Sequence, residues 1–464
     1  MALIRVAEGA TIDGFTVGKR LHQGGMGSLW SVSKDGEPGP LLMKCPVFNE
    51  GDDVSAIVGF EVEQSILPRL SGPHVPRFVA QGDFSRLPYI VMEHVQGRSL
   101  AEWSGTAPVP CEEVAYLGAL VARALQELHR QKVVHLDLKP ANVIVRNTGQ
   151  AALLDFGLSR HEELPDLLAE ESDVPMGTGA YISPEQIVSD RNEPRSDIYS
   201  LGVILYELVT GKLPFGSPQR RSGMLKRFWR DPVPPRRLRK DCPEWLQEII
   251  LRCLEIEPED RYASGSQLAF ALQHPDQVAI TARGRRLEQD GVVTTFRRWA
   301  RSQTLQKKLR PPVTQHVSSA PIVMAAVDLS HGVDTLAETL RVHARRALDA
   351  DPSARLACVT VLKTSLMSID QDTDARGNST YVQRLVELKD WARPVAGDDD
   401  RVSYHVLEAV DPAAALIEYA HHNQVDHMVV GARASSALRR YLGSVSAKVV
   451  AEAPCTVTVV RAHA

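Results

Sequence analysis

Apolar positions along the chain follow three successive regimes. Up to about residue 275, short strand-like runs such as "LLMKC" and "YIVME" give way to helical stretches. In "EVAYLGALVARALQELHR" the apolar residues recur at intervals of three and four, the spacing of one helix face. From 276 to 318 the apolar content drops and cations take over: between Arg283 and Arg310, the cations Arg283, Arg285, Arg286, Arg297, Arg298, Arg301, Lys307, Lys308 and Arg310 are met only by Glu288 and Asp290. From 319 to 464 strand patterns ("PIVMAAVDL", "RLACVTVLK", "RVSYHVLEAV", "HMVVGA", "CTVTVVR") alternate with helical ones such as "TLAETLRVHARRALD". Alternation of this kind builds a parallel sheet covered by helices. The pattern therefore predicts one domain over 1–275, a basic linker over 276–318 and a second domain over 319–464.

Composition narrows this picture little. The 464 residues are 44% hydrophobic and 24% charged, enough for two or three globular cores. A net charge of -4 gives no overall argument for nucleic acid or a membrane, so any such argument is local to the linker. The six cysteines show no C-x-x-C spacing, as expected of reduced core thiols in a cytoplasmic protein. The start "MALIRVAEGATIDGF" lacks the long apolar run of a secretory leader, and no apolar run approaches the roughly 18 residues that would span a bilayer.

Four segments of the first zone appear in the order that phosphoryl-transfer chemistry would need. "LHQGGMGSLWSV" puts Gly24, Gly25 and Gly27 in a turn between two strands, where missing side chains let backbone N–H groups approach phosphate oxygens. Lys44 lies on an apolar strand, "LLMKCP". "VVHLDLKPANVIV" sets Asp137, Lys139 and Asn142 at close spacing, and Asp155 ends the strand of "LLDFGLS", thirteen residues after Asn142. An in-line phosphoryl transfer needs an oriented hydroxyl and cations against the developing charge, and these residue types supply both.

In this order the segments resemble the eukaryotic-like Ser/Thr protein kinases of bacteria, over about 270 residues. The resemblance implies a two-lobed α+β kinase fold and the use of ATP with Mg²⁺, or Mn²⁺ in its place. It makes Asp137 the group that orients the hydroxyl and accepts its proton. Lys139 faces the γ-phosphate, and Asn142 and Asp155 bind metal. Lys44 holds the α and β phosphates, paired with Glu63, chosen over Glu61 because it precedes Leu70 by seven residues. The adenine would sit on the backbone of Glu93 and Val95, with Met92 as gatekeeper and Leu21, Leu29 and Ile144 around the ring. Gly157 belongs to the same metal-binding turn. Ser172 and Thr178 belong to the activation segment, Glu185 is to pair with Arg261, and Asp197 is to anchor the catalytic loop. Lys139 and Thr178 fit the Ser/Thr branch, so the implied substrate is a protein serine or threonine. Three positions depart from the family pattern: His22, Leu42 and Leu136, the last replacing the arginine that usually precedes the catalytic aspartate.

Loss of that arginine changes the expected control. The segment "HEELPDLLAEESDVPMG" already carries Glu162, Glu163, Asp166, Glu170, Glu171 and Asp173, so a phosphate on Ser172 would add like charge. Control is then expected to pass elsewhere, to the basic linker resting against this acidic segment. "FRRWARSQTLQKKLR" reads as an amphipathic basic helix with Phe296 and Trp299 on one side. Docking on the first domain and solvated charge are favoured over contact with anionic lipid.

The last zone resembles the universal stress protein family, which implies a five-stranded parallel α/β sheet, a nucleotide crevice and dimerisation through the last strand. Asp328, Gly431, Gly443 and Ser444 match its nucleotide site, but Ala434 replaces the second glycine and the spacer before Gly443 is one residue short. The leading expectation is a cytoplasmic Ser/Thr kinase with a stress-protein-like module that regulates or dimerises it. The alternatives are a pseudokinase scaffold, and an adenylate-sensing stress protein with the kinase as output.

Overall fold

The computed structural model describes residues 6–24, 27–46, 54–84, 86–171, 174–309, 321–330, 335–364, 380–396, 401–432 and 444–461. Gly25, Ser172, Ala434 and Gly443 lie outside these residues.

The first domain opens with an antiparallel six-stranded sheet in the order Thr11–Ile12, Phe15–Gly24, Gly27–Ser33, Leu41–Cys45, Tyr89–Glu93, Phe78–Gly82. In Leu41–Cys45 the alternation of burial follows the alternation of side chains: Leu41, Met43 and Cys45 enter a small core with Phe15, Val17 and Val91, which leaves Lys44 on the opposite face. The Val54–Ile66 helix flanks this sheet.

A helical lobe follows. The Cys111–Arg130 helix begins with Glu112 and Glu113 and ends with His129 and Arg130, charges that suit the two ends of its macrodipole, and it buries Val114, Leu117, Val121, Leu125 and Leu128. Its Gly118 allows close passage of the Arg195–Thr210 helix, since a Cβ there would lie 2.6 Å from a Leu205 methyl. The Arg195–Thr210 helix is buried almost all round and stops at Gly211, whose φ of 68° is the left-handed cap that glycine adopts without strain. Between these helices, short strands at Val133–Val134, Val143–Arg146 and Ala151–Leu153 bracket the loop from His135 to Asn142.

The basic segment folds onto the base of this lobe. Buried Glu248 accepts from the Thr281 hydroxyl at 2.8 Å and the Gly284 N–H at 2.8 Å, while the Gln247 amide donates to the carbonyls of Arg283, Gly284 and Arg286. Arg286 and Arg298 both reach Asp231, Arg283 reaches Glu255, and Lys308 reaches Glu257. In the Val292–Leu309 helix it is Leu305 and Leu309 that face inward, against Ile187 and Phe228. Phe296 and Trp299 remain 64% and 53% exposed. The expectation that this segment rests on the acidic stretch of the activation segment is therefore corrected: Arg283, Arg286, Arg298 and Lys308 pair with carboxylates elsewhere on the lobe.

The second domain is a five-stranded parallel sheet in the order Val402–Ala409, Arg355–Lys363, Ile322–Ala326, His427–Gly431, Thr456–Val460. Successive residues of Ile322–Ala326 serve opposite faces. Val323 and Ala325 pack with the Thr335–Ala350 and Thr380–Ala396 helices, whereas Ile322, Met324 and Ala326 pack with Pro412–His422 and Ser444–Glu452. Both faces are thus covered, which explains the near-continuous apolar runs of these strands. Among the described residues no helix is long and apolar enough to cross a membrane.

Candidate active site

The loop from His135 to Asn142 is held from below by one carboxylate. Asp197, fully buried, accepts the backbone N–H of His135 and of Leu136, each at 2.9 Å, and faces His129 Nε2 at 2.8 Å. Burial alone would raise its pKa, but His129 and His135 hold it below the ordinary carboxylate value. The anchorage is needed because Leu136 takes a φ of 63°, a conformation costing a leucine about 1–2 kcal/mol. His135 turns its Nε2 to the Leu154 carbonyl at 3.0 Å, which fixes the proton on that nitrogen and leaves Nδ1 to accept the Asp137 N–H at 3.3 Å.

Asp137 is 8% exposed and shares its oxygens between two sets of donors. Oδ1 accepts the Thr178 N–H at 2.9 Å and hydroxyl at 2.7 Å; Oδ2 accepts Lys139 Nζ at 2.6 Å and Asn142 Nδ2 at 3.3 Å. Lys139 also donates to the Thr178 hydroxyl at 3.3 Å. With its amide nitrogen engaged by Asp137, Asn142 has its oxygen to offer a cation.

Lys44 joins the lobes. Its ammonium lies 2.5 Å from Glu63 Oε2 and 2.9 Å from Asp155 Oδ1, three groups from one strand, one helix and one turn. Burial works to lower the Lys44 pKa, and the two carboxylates more than offset it, so the lysine stays charged. Asp155, beside Lys44, is held down at about 2. The turn after Asp155 passes close under the helix: a Cβ on Gly157 would lie 3.3 Å from the Gly59 carbonyl, and one on Gly59 3.1 Å from the Gly157 carbonyl. Phe156 is fully buried beside the His135 ring, 5.5 Å between centroids.

Around the remaining edge of the cleft, Gly24 and Gly27 face each other where the first two long strands meet, Leu29 stands opposite Lys44, and Met92 opposite Leu42. Leu21 is half exposed, Leu29 and Ile144 are half-buried, and Val95 is buried. The Glu93 carboxylate is clamped by both terminal nitrogens of Arg146, which holds its pKa down and fixes the hinge to the helical lobe. Further out, Glu185 and Arg261 form a fully buried fork with bonds of 2.6 and 2.8 Å. Ser183 caps the Pro184–Ile187 turn and Gln186 closes the capping box.

In the second domain, Asp328, Gly431 and Ser444 line one crevice of about 690 Å³ at the carboxyl ends of the strands. Asp328 caps its own turn there, accepting the Ser330 N–H at 3.0 Å and its hydroxyl at 2.5 Å.

Sequence reasoning missed three contributors. His129 supports Asp197 from a helix end, and Gln186 donates to the Leu136 carbonyl. Glu170 is buried against the second domain; its signal was the Leu164, Leu167, Leu168 spacing of a short amphipathic helix inside the acidic run.

Comparison with known proteins agrees with both halves. Residues 15–275 match the protein kinase domain family, and residues 321–461 the universal stress protein family. A probable serine/threonine-protein kinase of Clostridium perfringens is 31% identical over 46% of this chain and 31% of its own length. The serine/threonine-protein kinase PknB of Mycobacterium leprae is 34% identical over 39% of this chain and 29% of its own length. The crystal structure of the Mycobacterium tuberculosis PknI kinase domain, at 25% identity, covers 58% of this chain and 100% of that chain with a TM-score of 0.46. The chain spans about a third of the length of the curated relatives it matches. With 15–275 of its 464 residues matched to the kinase domain, the chain belongs to the protein kinase family and carries a universal stress protein domain behind it.

Proposed function

We propose that the protein is a serine/threonine protein kinase, transferring the γ-phosphoryl group of ATP to protein hydroxyls. The observation that carries this reading is the single Lys44 ammonium in contact with both Glu63 and Asp155, the ion-pair arrangement on which phosphoryl transfer in this family depends. A hard divalent cation fits the donors available, the Asp155 carboxylate and the Asn142 amide oxygen, and Mg²⁺ or Mn²⁺ there would neutralise phosphate charge.

The chain's own residues do the positioning. Lys44 holds non-transferring phosphates while Glu63 keeps the ammonium from swinging away. Asp137 orients the incoming hydroxyl and takes its proton, and Lys139, already between Asp137 and Thr178, meets the charge on the transferred group. Thr178, bonded to both, ties the substrate-docking segment to the catalytic aspartate, which supports a serine or threonine acceptor. The stress-protein domain is a regulatory module, and its outer strand Thr456–Val460 a dimerisation edge. The protein acts in the cytoplasm.

The test is incubation of the purified chain with Mg²⁺ and γ-labelled ATP, alone and with a generic basic protein. Label on serine or threonine is the expected result; no label in either protein overturns the reading.

A further inference from the structure

The acidic stretch of the activation segment is exposed at Glu162 and Glu163 but turns inward at Glu170. Its short Leu167–Glu171 helix lies against the second domain, and Glu170 is only 9% exposed. A buried carboxylate is costly unless paired and hydrogen-bonded. The side-chain partners of Glu170 come from the far end of the chain: Arg355, His405 Nε2 at 2.9 Å, and the Ser403 and Tyr419 hydroxyls at 3.4 Å each. His405 also meets Glu171, at 2.9 Å through Nδ1. The open carbonyls at this helix end find donors there too, Ala169 from His422 Nε2 at 2.9 Å and Glu170 from Asn423 Nδ2 at 3.3 Å.

A second contact touches the helix that carries Glu63. Glu61, 8% exposed, pairs with Lys389, whose ammonium also lies 4.6 Å from the Phe84 ring centre and 5.4 Å from that of Tyr404. Tyr381, Val382 and Leu385 join one continuous apolar cluster with Ile57, Val58, Phe60 and Leu168. The second domain thus grips the two elements whose placement decides whether Lys44, Glu63 and Asp155 come together. All three are together in the gripped state.

Resting on the kinase reading above, we propose that the stress-protein domain supplies positioning residues for the phosphoryl-transfer site: Arg355 and His405, through Glu170 and Glu171, and Lys389, through Glu61, hold the activation segment and the Val54–Ile66 helix in the assembled geometry. The domain is an activating clamp in cis. It does the work that a phosphate and the arginine absent at position 136 would share, with carboxylates built into the segment.

The test uses the full chain. Lys389→Glu, and separately Arg355→Ala with His405→Ala, are expected to lower kcat about tenfold or more, within the usual range of coupling between sites. Lys389→Arg keeps kcat within about twofold, and the exchanged pair Glu61→Lys with Lys389→Glu recovers most of what Lys389→Glu loses. Amide hydrogen exchange over 54–66 and 160–171 is measured on the same proteins, with protection falling in the disrupted variants and returning in the exchanged pair. Wild-type rates and wild-type protection in Lys389→Glu overturn the proposal, and so does a rate increase, which makes the contact inhibitory. If the wild type transfers no phosphate, the kinase reading fails, and the exchange data alone decide whether the clamp positions these two elements.

Discussion

The Gln186 side-chain amide donates to the Leu136 carbonyl at 2.7 Å, tying the activation segment to the catalytic loop by a neutral bond. Leu136 itself is buried and brings no charge to be neutralised. Nearby, Asp166 is already paired with Arg160 and Arg191, and Glu163 with Lys132. A phosphate on Ser172 therefore has little to gain, and Ser172→Ala and phosphatase-treated wild type should both keep initial rates within about threefold of the untreated enzyme. A drop of about tenfold or more in either contradicts this account.

Asp137→Asn and Asp155→Asn should each lower turnover by about two orders of magnitude or more, with circular dichroism and ATP-free melting close to wild type for Asp137→Asn. Comparable turnover in both removes their assigned roles.

Lys44→Met should abolish transfer and also lower the melting temperature, because Glu63 is 1% exposed and loses its cation. A melting temperature equal to wild type would mean that Glu63 takes up a proton at no cost to the fold.

The clamp should depend on pH in a definite direction. Burial acts to lower the His405 pKa, but Glu170 and Glu171 outweigh it and raise the value from 6.5 to about 9. The groups packed around the ring are Glu170 and Glu171 from the activation segment, Ser403 on its own strand, and Tyr419; Arg355 shares Glu170. A raised histidine pKa contributes stability that is complete below about 6.5 and lost as pH climbs through about 9. Glu170 runs the opposite way: burial raises its pKa, His405 and Arg355 bring it down to about 2, and its contribution is present above 4.5 and lost as pH falls toward 2. Exchange protection over 160–171 should therefore be greatest between about 4.5 and 6.5 and weaken toward pH 9 in wild type, with the alkaline weakening absent in His405→Ala. An alkaline limb that survives in His405→Ala sinks this assignment.

The outer strand Thr456–Val460 is bonded on one side only within the described chain and carries the half-buried Val457 and Val459. Such an edge invites pairing with a second copy. Sedimentation of the full chain should show a dimer at micromolar concentration, and a monomer throughout the range rules it out.

Sequence spacing gave good access to what is local or periodic. The strand–helix alternation beyond 319 gave the parallel sheet, and counting seven residues back from Leu70 selected Glu63, the glutamate that Lys44 meets. It gave no access to pairings without a period. The cations of the linker find Asp231, Glu248, Glu255 and Glu257 across gaps no local pattern marks. The acidic run from Glu162 to Glu171 reads as self-repelling until its counter-charges are known, and Glu61, passed over for its neighbour, turns out to face Lys389. Charge pairing depends on where distant elements dock, and a linear sequence does not encode that as a repeat.

The ion pairs between the domains span 185 residues for Glu170 with Arg355 and 328 for Glu61 with Lys389. A ribosome adding about 5–20 residues per second needs roughly 16–65 s to travel the longer of these gaps. Once Asp155 has been made, and until Lys389 follows it, the nascent first domain carries the residues proposed for catalysis but not the partner that holds Glu61. On the clamp proposal, chains that stop before the second domain transfer phosphate about tenfold or more slowly than chains that carry it.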